Sequence, residues 1–108
     1  MILIVSKYLI PKGYRGMTIF PFVVLKFRND KEDDILLNHE RIHLRQQLEL
    51  LILPFFIWYT LEFLIRFLIH KNRHLAYKSV SFEQEAYGKE KDLDYLKQRS
   101  FWKFLNYV

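Results

Sequence analysis

The sequence predicts an α+β fold, with a small N-terminal β-hairpin or sheet packed on a mostly helical core, in one domain spanning residues 1–108. Three observations predict it. Short β-branched apolar runs are confined to the segment before Arg28, the apolar spacing turns helical from Ile35 onward, and no repeat, low-complexity stretch or linker divides the chain. A hydrophobic fraction of 51% is ample for a core at this length. The 18% aromatic content leaves an apolar surplus for a partner or a membrane, because so small a chain buries a modest share of its surface.

Ile2 to Val5 and Tyr8 to Ile10 read as strand, and Lys12-Gly13-Tyr14-Arg15-Gly16 as a turn. Met17 to Phe27 reads as a second strand, with Pro21 marking an edge or a bulge. Together they predict a hairpin across the glycine-bearing loop. Asp30, Asp33 and Asp34 are N-cap candidates for the helix that follows. Leu36, His39, His43, Gln47 and Leu50 fall along one stripe of that helix, which should run to about Leu53 and kink or end at Pro54. Leu50 to Ile69 is strongly apolar, with Glu62 and Arg66 spaced to pair at i, i+4. His70-Lys71-Asn72-Arg73-His74 is a basic break. Ser81 should cap a last helix beginning near Phe82, which Gly88 weakens, and an aromatic-basic tail ends the sequence.

Charge and cysteine usage narrow the function classes. The net charge is +5, and residues 66–103 hold nine Lys/Arg against five acids. Such a basic, aromatic-rich region suits an anionic membrane surface or nucleic acid, or serves as a solubilising face. There are no cysteines, so disulfides and thiolate metal sites are excluded, and any metal must be held by His and carboxylate. The N-terminus lacks the pattern of a signal peptide, since Lys7 interrupts the apolar run and Pro11 follows it closely. A cytoplasmic chain, peripheral to the inner face of a membrane, is the expectation.

The segment that carries a specific chemistry is His39-Glu40-Arg41-Ile42-His43, an H-E-x-x-H pentapeptide inside the helical pattern. On a helix, i and i+4 share a face, so both imidazoles can reach one ion while Glu40 is placed to hold a water. That is the arrangement of zinc hydrolases, with Glu40 as general base. By residue frequencies the pattern arises by chance in roughly one small domain in several hundred, so context decides. Downstream, Phe82-Glu83-Gln84-Glu85-Ala86-Tyr87 offers carboxylates on a second predicted helix, and a catalytic zinc commonly takes two His and one Glu.

The pair of motifs, His39-Glu40-x-x-His43 and Glu83-x-x-Ala86, resembles the gluzincin metallopeptidases. It is most similar to membrane-linked branches carrying E-x-x-A-D and to integral-membrane sensor peptidases with a comparable separation. Gln46 resembles the H-E-x-x-H-x-x-Q form of small zincins. The resemblance covers about residues 35–90. It implies a zincin-like core, a Zn²⁺ cofactor held by His39, His43 and Glu83, and close helix approach at Ala86. Glu85 is the competing carboxylate. The resemblance breaks at Tyr87, where many relatives place an aspartate that orients a ligand histidine; Glu85 or a backbone carbonyl would then have to substitute. His74 and Tyr87 are candidate transition-state stabilisers.

The leading expectation is therefore a zinc-dependent metallopeptidase that hydrolyses a peptide or protein substrate through metal-activated water. The substrate would add as a strand to the Met17–Phe27 edge. The alternatives are a zincin-like domain that binds metal or a partner without turnover, and a basic membrane-surface module whose pentapeptide is accidental. Nucleic acid ranks last, because no recognised motif is present. A shared metal site also forbids a single membrane crossing between residues 43 and 83, which would separate the ligands by about 30 Å. Residues 50–69 are thus expected to form a core helix, an interfacial helix or a contact between copies of the chain, with Pro54 leaving a piece too short to span comfortably.

Overall fold

The computed structural model describes residues 1–108. Three strands, β1 (Ile2–Val5), β2 (Gly16–Ile19) and β3 (Phe22–Leu25), precede five helices: α1 (Asp34–Leu50), α2 (Ile52–His70), α3 (Arg73–Ser79), α4 (Ser81–Lys89) and α5 (Tyr95–Gln98). Short 3-10 turns lie at Arg28–Glu32 and Lys103–Tyr107. The fold is α+β as predicted, with the strands packed on a helical core.

The sheet corrects the expected pairing. Its order is β1-β3-β2, with β1 parallel and β2 antiparallel to β3. The hairpin lies within the segment Met17–Phe27 and not across the Lys12–Gly16 loop: Ile19 pairs with Phe22, and Phe20–Pro21, joined by a cis peptide bond, form the turn. Pro21 needs no ladder partner for its missing N–H in a turn. Tyr8–Ile10 forms a turn and a bend, and anchors through buried Ile10. The outcome leaves β2 as an edge strand facing α1.

Asp33, one of the anticipated caps, starts α1 by accepting the Leu36 N–H at 3.1 Å. Asp30 and Asp33 also clamp Arg15, each at 2.8 Å, which ties the loop before β2 to the start of α1. α1 is the central helix. Leu37 and Leu44 pack under Val23 and Leu25 of the sheet, while Ile42 packs on Ala86 and Tyr95.

α1 ends at Leu50, because Leu51 takes φ 67°, ψ 159°, outside helical space. Pro54 then lies in the first turn of α2, where its missing N–H has no intrahelical partner to lose. Pro54 therefore belongs to the start of a 19-residue helix rather than leaving a short fragment, and α2 is long and apolar enough to cross a membrane by length and composition alone. α2 is not a core helix either: only Phe55 and Glu62 are buried. Glu62 is not paired with Arg66. Its carboxylate accepts from Ser81 N (2.6 Å), Ser81 Oγ (2.7 Å) and Trp58 Nε1 (3.1 Å). Ser81 is thus the first residue of α4 and is capped from another helix. The basic break opens a helix of its own, α3, which Asn72 caps through the Leu75 N–H. Phe55, Val80, Phe82 and Phe104 form the second core, so the C-terminal tail holds α2 and α4 together.

Candidate metal centre

α1 and α4 bring the predicted ligands to one point. His39 Nε2 and His43 Nε2 are 3.2 Å apart, and Glu83 Oε1 lies 3.2 Å from the first and 3.0 Å from the second. All three residues are buried, and together they could hold a metal ion. Zinc bonds of 2.0–2.2 Å in a tetrahedron separate ligand atoms by about 3.3 Å or slightly more, so the observed triangle is close to the required size.

The hydrogen bonds around the triangle fix which atoms face inward. Gln46 Nε2 donates to Phe82 O (3.2 Å) and Glu85 Oε1 (2.9 Å), both acceptors. Its Oε1 must therefore face His43 Nδ1, 2.8 Å away, which makes Nδ1 the protonated nitrogen. His39 Nδ1 donates in the same way to Glu90 Oε2 at 2.9 Å. In neutral imidazoles both Nε2 atoms then carry lone pairs, and they converge with a carboxylate oxygen. Three buried acceptors at such separations repel unless a cation or a proton stands among them. Burial opposes a charge on His43, but the Glu83 carboxylate, with Glu40 and Gln46 adding to it, outweighs burial and pushes that imidazole up to about 9. Glu83 is held well below the usual carboxylate range by the two histidines against its own burial. Its second oxygen accepts from the Tyr59 hydroxyl at 2.8 Å, leaving Oε1 alone to face the ion position.

Glu85 is not a ligand. It points to the far side of α4, where it accepts from Tyr95 (2.6 Å), Gln46 and Arg99. Arg99 also pairs with Glu49 at 2.8 Å, and all three charged side chains are essentially inaccessible. No carboxylate stands at Tyr87; the one that accepts from His39 Nδ1 and orients its ring is Glu90, three residues later. Tyr87 lays its ring edge against His39, centroids 4.4 Å apart, and its hydroxyl bonds Tyr77 at 2.9 Å.

Glu40 sits on the sheet side of the triangle. Thr18 Oγ1 donates to its Oε2 at 2.5 Å. A Cβ on Gly16 would meet Glu40 Oε1 at 2.9 Å, so a side chain there would push the carboxylate off its present position against the edge strand. Gln47 pins the same edge, donating to Thr18 O (2.8 Å) and accepting from Phe20 N (2.7 Å). The ladder register turns the N–H and C=O of Gly16 and the N–H of Thr18 away from β3, free to pair with an added strand.

Two cavities flank the ligands. One, of about 470 Å³, is walled by β2, the ligands and an apolar side of α2 that includes Phe55, Phe56, Tyr59 and Phe63. The other, of about 330 Å³, is more polar and takes in Arg15, His39, Glu40, His74, Tyr87 and Glu90. His74 and Tyr87 thus stand on the rim of the site, and Tyr77 lines both cavities. No protein-family model, curated protein or solved structure matches the chain.

Proposed function

We propose that the chain is a zinc-dependent metallopeptidase with His39, His43 and Glu83 as ligands and Glu40 as general base. The observation that carries the proposal is the convergence of three buried lone-pair atoms whose outer partners are all accounted for. A bound Zn²⁺ would supply Lewis acidity toward a carbonyl oxygen and lower the pKa of a water. Gly16 and Thr18 would hold an extended substrate by its backbone, beside a cavity that favours an apolar side chain. Glu40, oriented by Thr18, would take the proton of the attacking water at its carboxylate and deliver it to the leaving amine. Tyr77, held by Tyr87, presents a hydroxyl on the cavity wall for the developing oxyanion.

Metal analysis of the purified protein, paired with hydrolysis of a mixed fluorogenic peptide set, tests this. One zinc per chain is expected, with Glu40→Gln retaining the metal and losing roughly 10²–10⁴-fold in rate. Protein that takes up no zinc on addition sinks the proposal. Zinc retained without hydrolysis in the unsubstituted chain leaves a metal-binding domain only.

A further inference from the structure

The outward half of α2 is covered by nothing in the fold. At 100° per residue Leu53, Ile57, Leu61, Leu64, Ile65 and Leu68 share one side, and each is at least half exposed. The two charged residues of the helix, Glu62 and Arg66, both lie on the opposite side. The result is an uncharged apolar face about 23 Å long, a kind of surface that soluble monomers rarely leave open.

Its borders identify the occupant. From Lys71 to Phe82 the chain contains no acid, and Lys71, Arg73, His74 and Lys78 are exposed there, on and beside α3, which packs against α2. At the other end of α2 the exposed rings of Phe101 and Trp102 stack on one another. The Trp102 indole N–H donates to Glu49 O, just before Leu51. Basic residues at one border and aromatics at the other complement an anionic lipid surface.

The packing also sets the orientation. The inward side of α2 is occupied by α3, by the start of α4 at Ser81 and Phe82, and by Phe104 of the tail. A crossing helix would draw Arg73, Lys78 and Glu83 into hydrocarbon. A helix lying in the plane of the interface keeps all three out of hydrocarbon, with the basic residues free to reach the anionic headgroups, and buries the outward face to about 5–10 Å.

We propose that α2 docks the protein, flat and on one leaflet, on an anionic bilayer. The proposal needs neither metal nor hydrolysis. Co-sedimentation with phosphatidylcholine vesicles containing phosphatidylglycerol, against phosphatidylcholine alone, tests it. Wild-type protein should pellet with the anionic vesicles, shift its tryptophan emission to the blue, and be released by alkaline carbonate. Leu61→Glu/Leu64→Glu/Leu68→Glu should abolish binding with metal content and circular dichroism unchanged. Lys71→Gln/Arg73→Gln, which leaves the apolar face intact, should weaken anionic binding by about 30-fold. Wild-type protein that stays in the supernatant overturns the proposal, as does binding indifferent to both variants. Resistance to carbonate would mean a spanning helix. A salt-stable dimer that ignores vesicles and is split by the triple variant would assign the face to a second copy.

Discussion

Two adjoining helices of this chain reverse the ordinary amphipathic rule in opposite directions. α1 buries polar side chains: Asn38, His39, Glu40, His43, Gln46 and Gln47 are all inaccessible. α2 exposes apolar ones and buries a glutamate. These six residues of α1 are each matched, whereas Glu49 Oε1 on the same helix is buried without a hydrogen-bond partner. Asn38 donates to the carbonyls of Lys89, Glu90 and Asp92, Gln47 holds the strand edge, and the histidines reach Glu90, Gln46 and Glu83. A buried polar atom left unmatched costs about 1–3 kcal/mol, so a helix of this kind depends on the partners these six residues find. α2 has no internal partner for its outer face. The first inversion is resolved inside the fold and the second outside it.

The largest effect is expected where the buried polar set depends on one cation. Arg99 is the only partner of like depth that balances Glu85 and Glu49. Burial raises the Glu85 carboxyl, and the Arg99 guanidinium with the Tyr95 and Gln46 hydrogen bonds together more than reverses that. Arg99→Met leaves two buried carboxylates uncompensated and should cost about 3–5 kcal/mol in urea unfolding. A loss below 1 kcal/mol, roughly the scale of a surface pair, would show that water reaches this side of α4 and would weaken the contrast between the helices.

Removing the proposed zinc comes next. With free zinc at 1,000 times its dissociation constant, binding to the folded state alone contributes about 4 kcal/mol. Chelation should then lower the melting temperature by roughly 15 °C or more for a domain of this size, and zinc should restore it. A melting temperature indifferent to chelator and zinc would mean that the three converging acceptors are satisfied by a proton instead.

Glu90→Ala and Gln46→Leu probe the outer hydrogen bonds. Each frees one imidazole to rotate and should reduce metal affinity by about 10–100-fold in competition with a chromophoric chelator. Unchanged affinity in both would assign ligand orientation to ring packing, as of His39 against Tyr87, rather than to the Nδ1 partners.

These groups also mark how far the sequence could be read. The pair His39 and His43 is legible because both ligands and their spacing lie on one helix, and Glu83 follows from its likeness to a known second motif. Glu90, Tyr59, Thr18 and Gly16 are not legible. Glu90 follows α4, Tyr59 lies on α2 and Thr18 and Gly16 lie on β2, so only tertiary packing sets their distance from the α1 histidines. The same holds for the fold. A hairpin inside Met17–Phe27 is hidden because Phe20 is strand-like in composition and Pro21 is compatible with either an edge or a turn. The α1–α2 break is hidden because Leu51 adopts a positive φ without the glycine that usually signals it, and because proline suits a helix start as well as an end. α3 is short, and its polar, basic sequence gives no apolar period to detect.

The smallest expected effect isolates the second inversion. Leu64 and Leu68 are 51% and 75% exposed, so in buffer without lipid they bury little on folding. Leu64→Gln/Leu68→Gln should leave the unfolding free energy within about 0.5 kcal/mol of wild type. Phe82→Ala, from the fully buried cluster beneath the same helix, should lose about 3–5 kcal/mol. If the outward pair proved equally destabilising, the face would already be covered in solution by another part of the protein or by a second copy, and sedimentation equilibrium would separate those two cases. If the pair is neutral in buffer yet weakens vesicle binding, the leucines contribute nothing to the fold that holds the metal ligands. Their apolar character then acts only at the lipid surface, as the opposite inversions of α1 and α2 require.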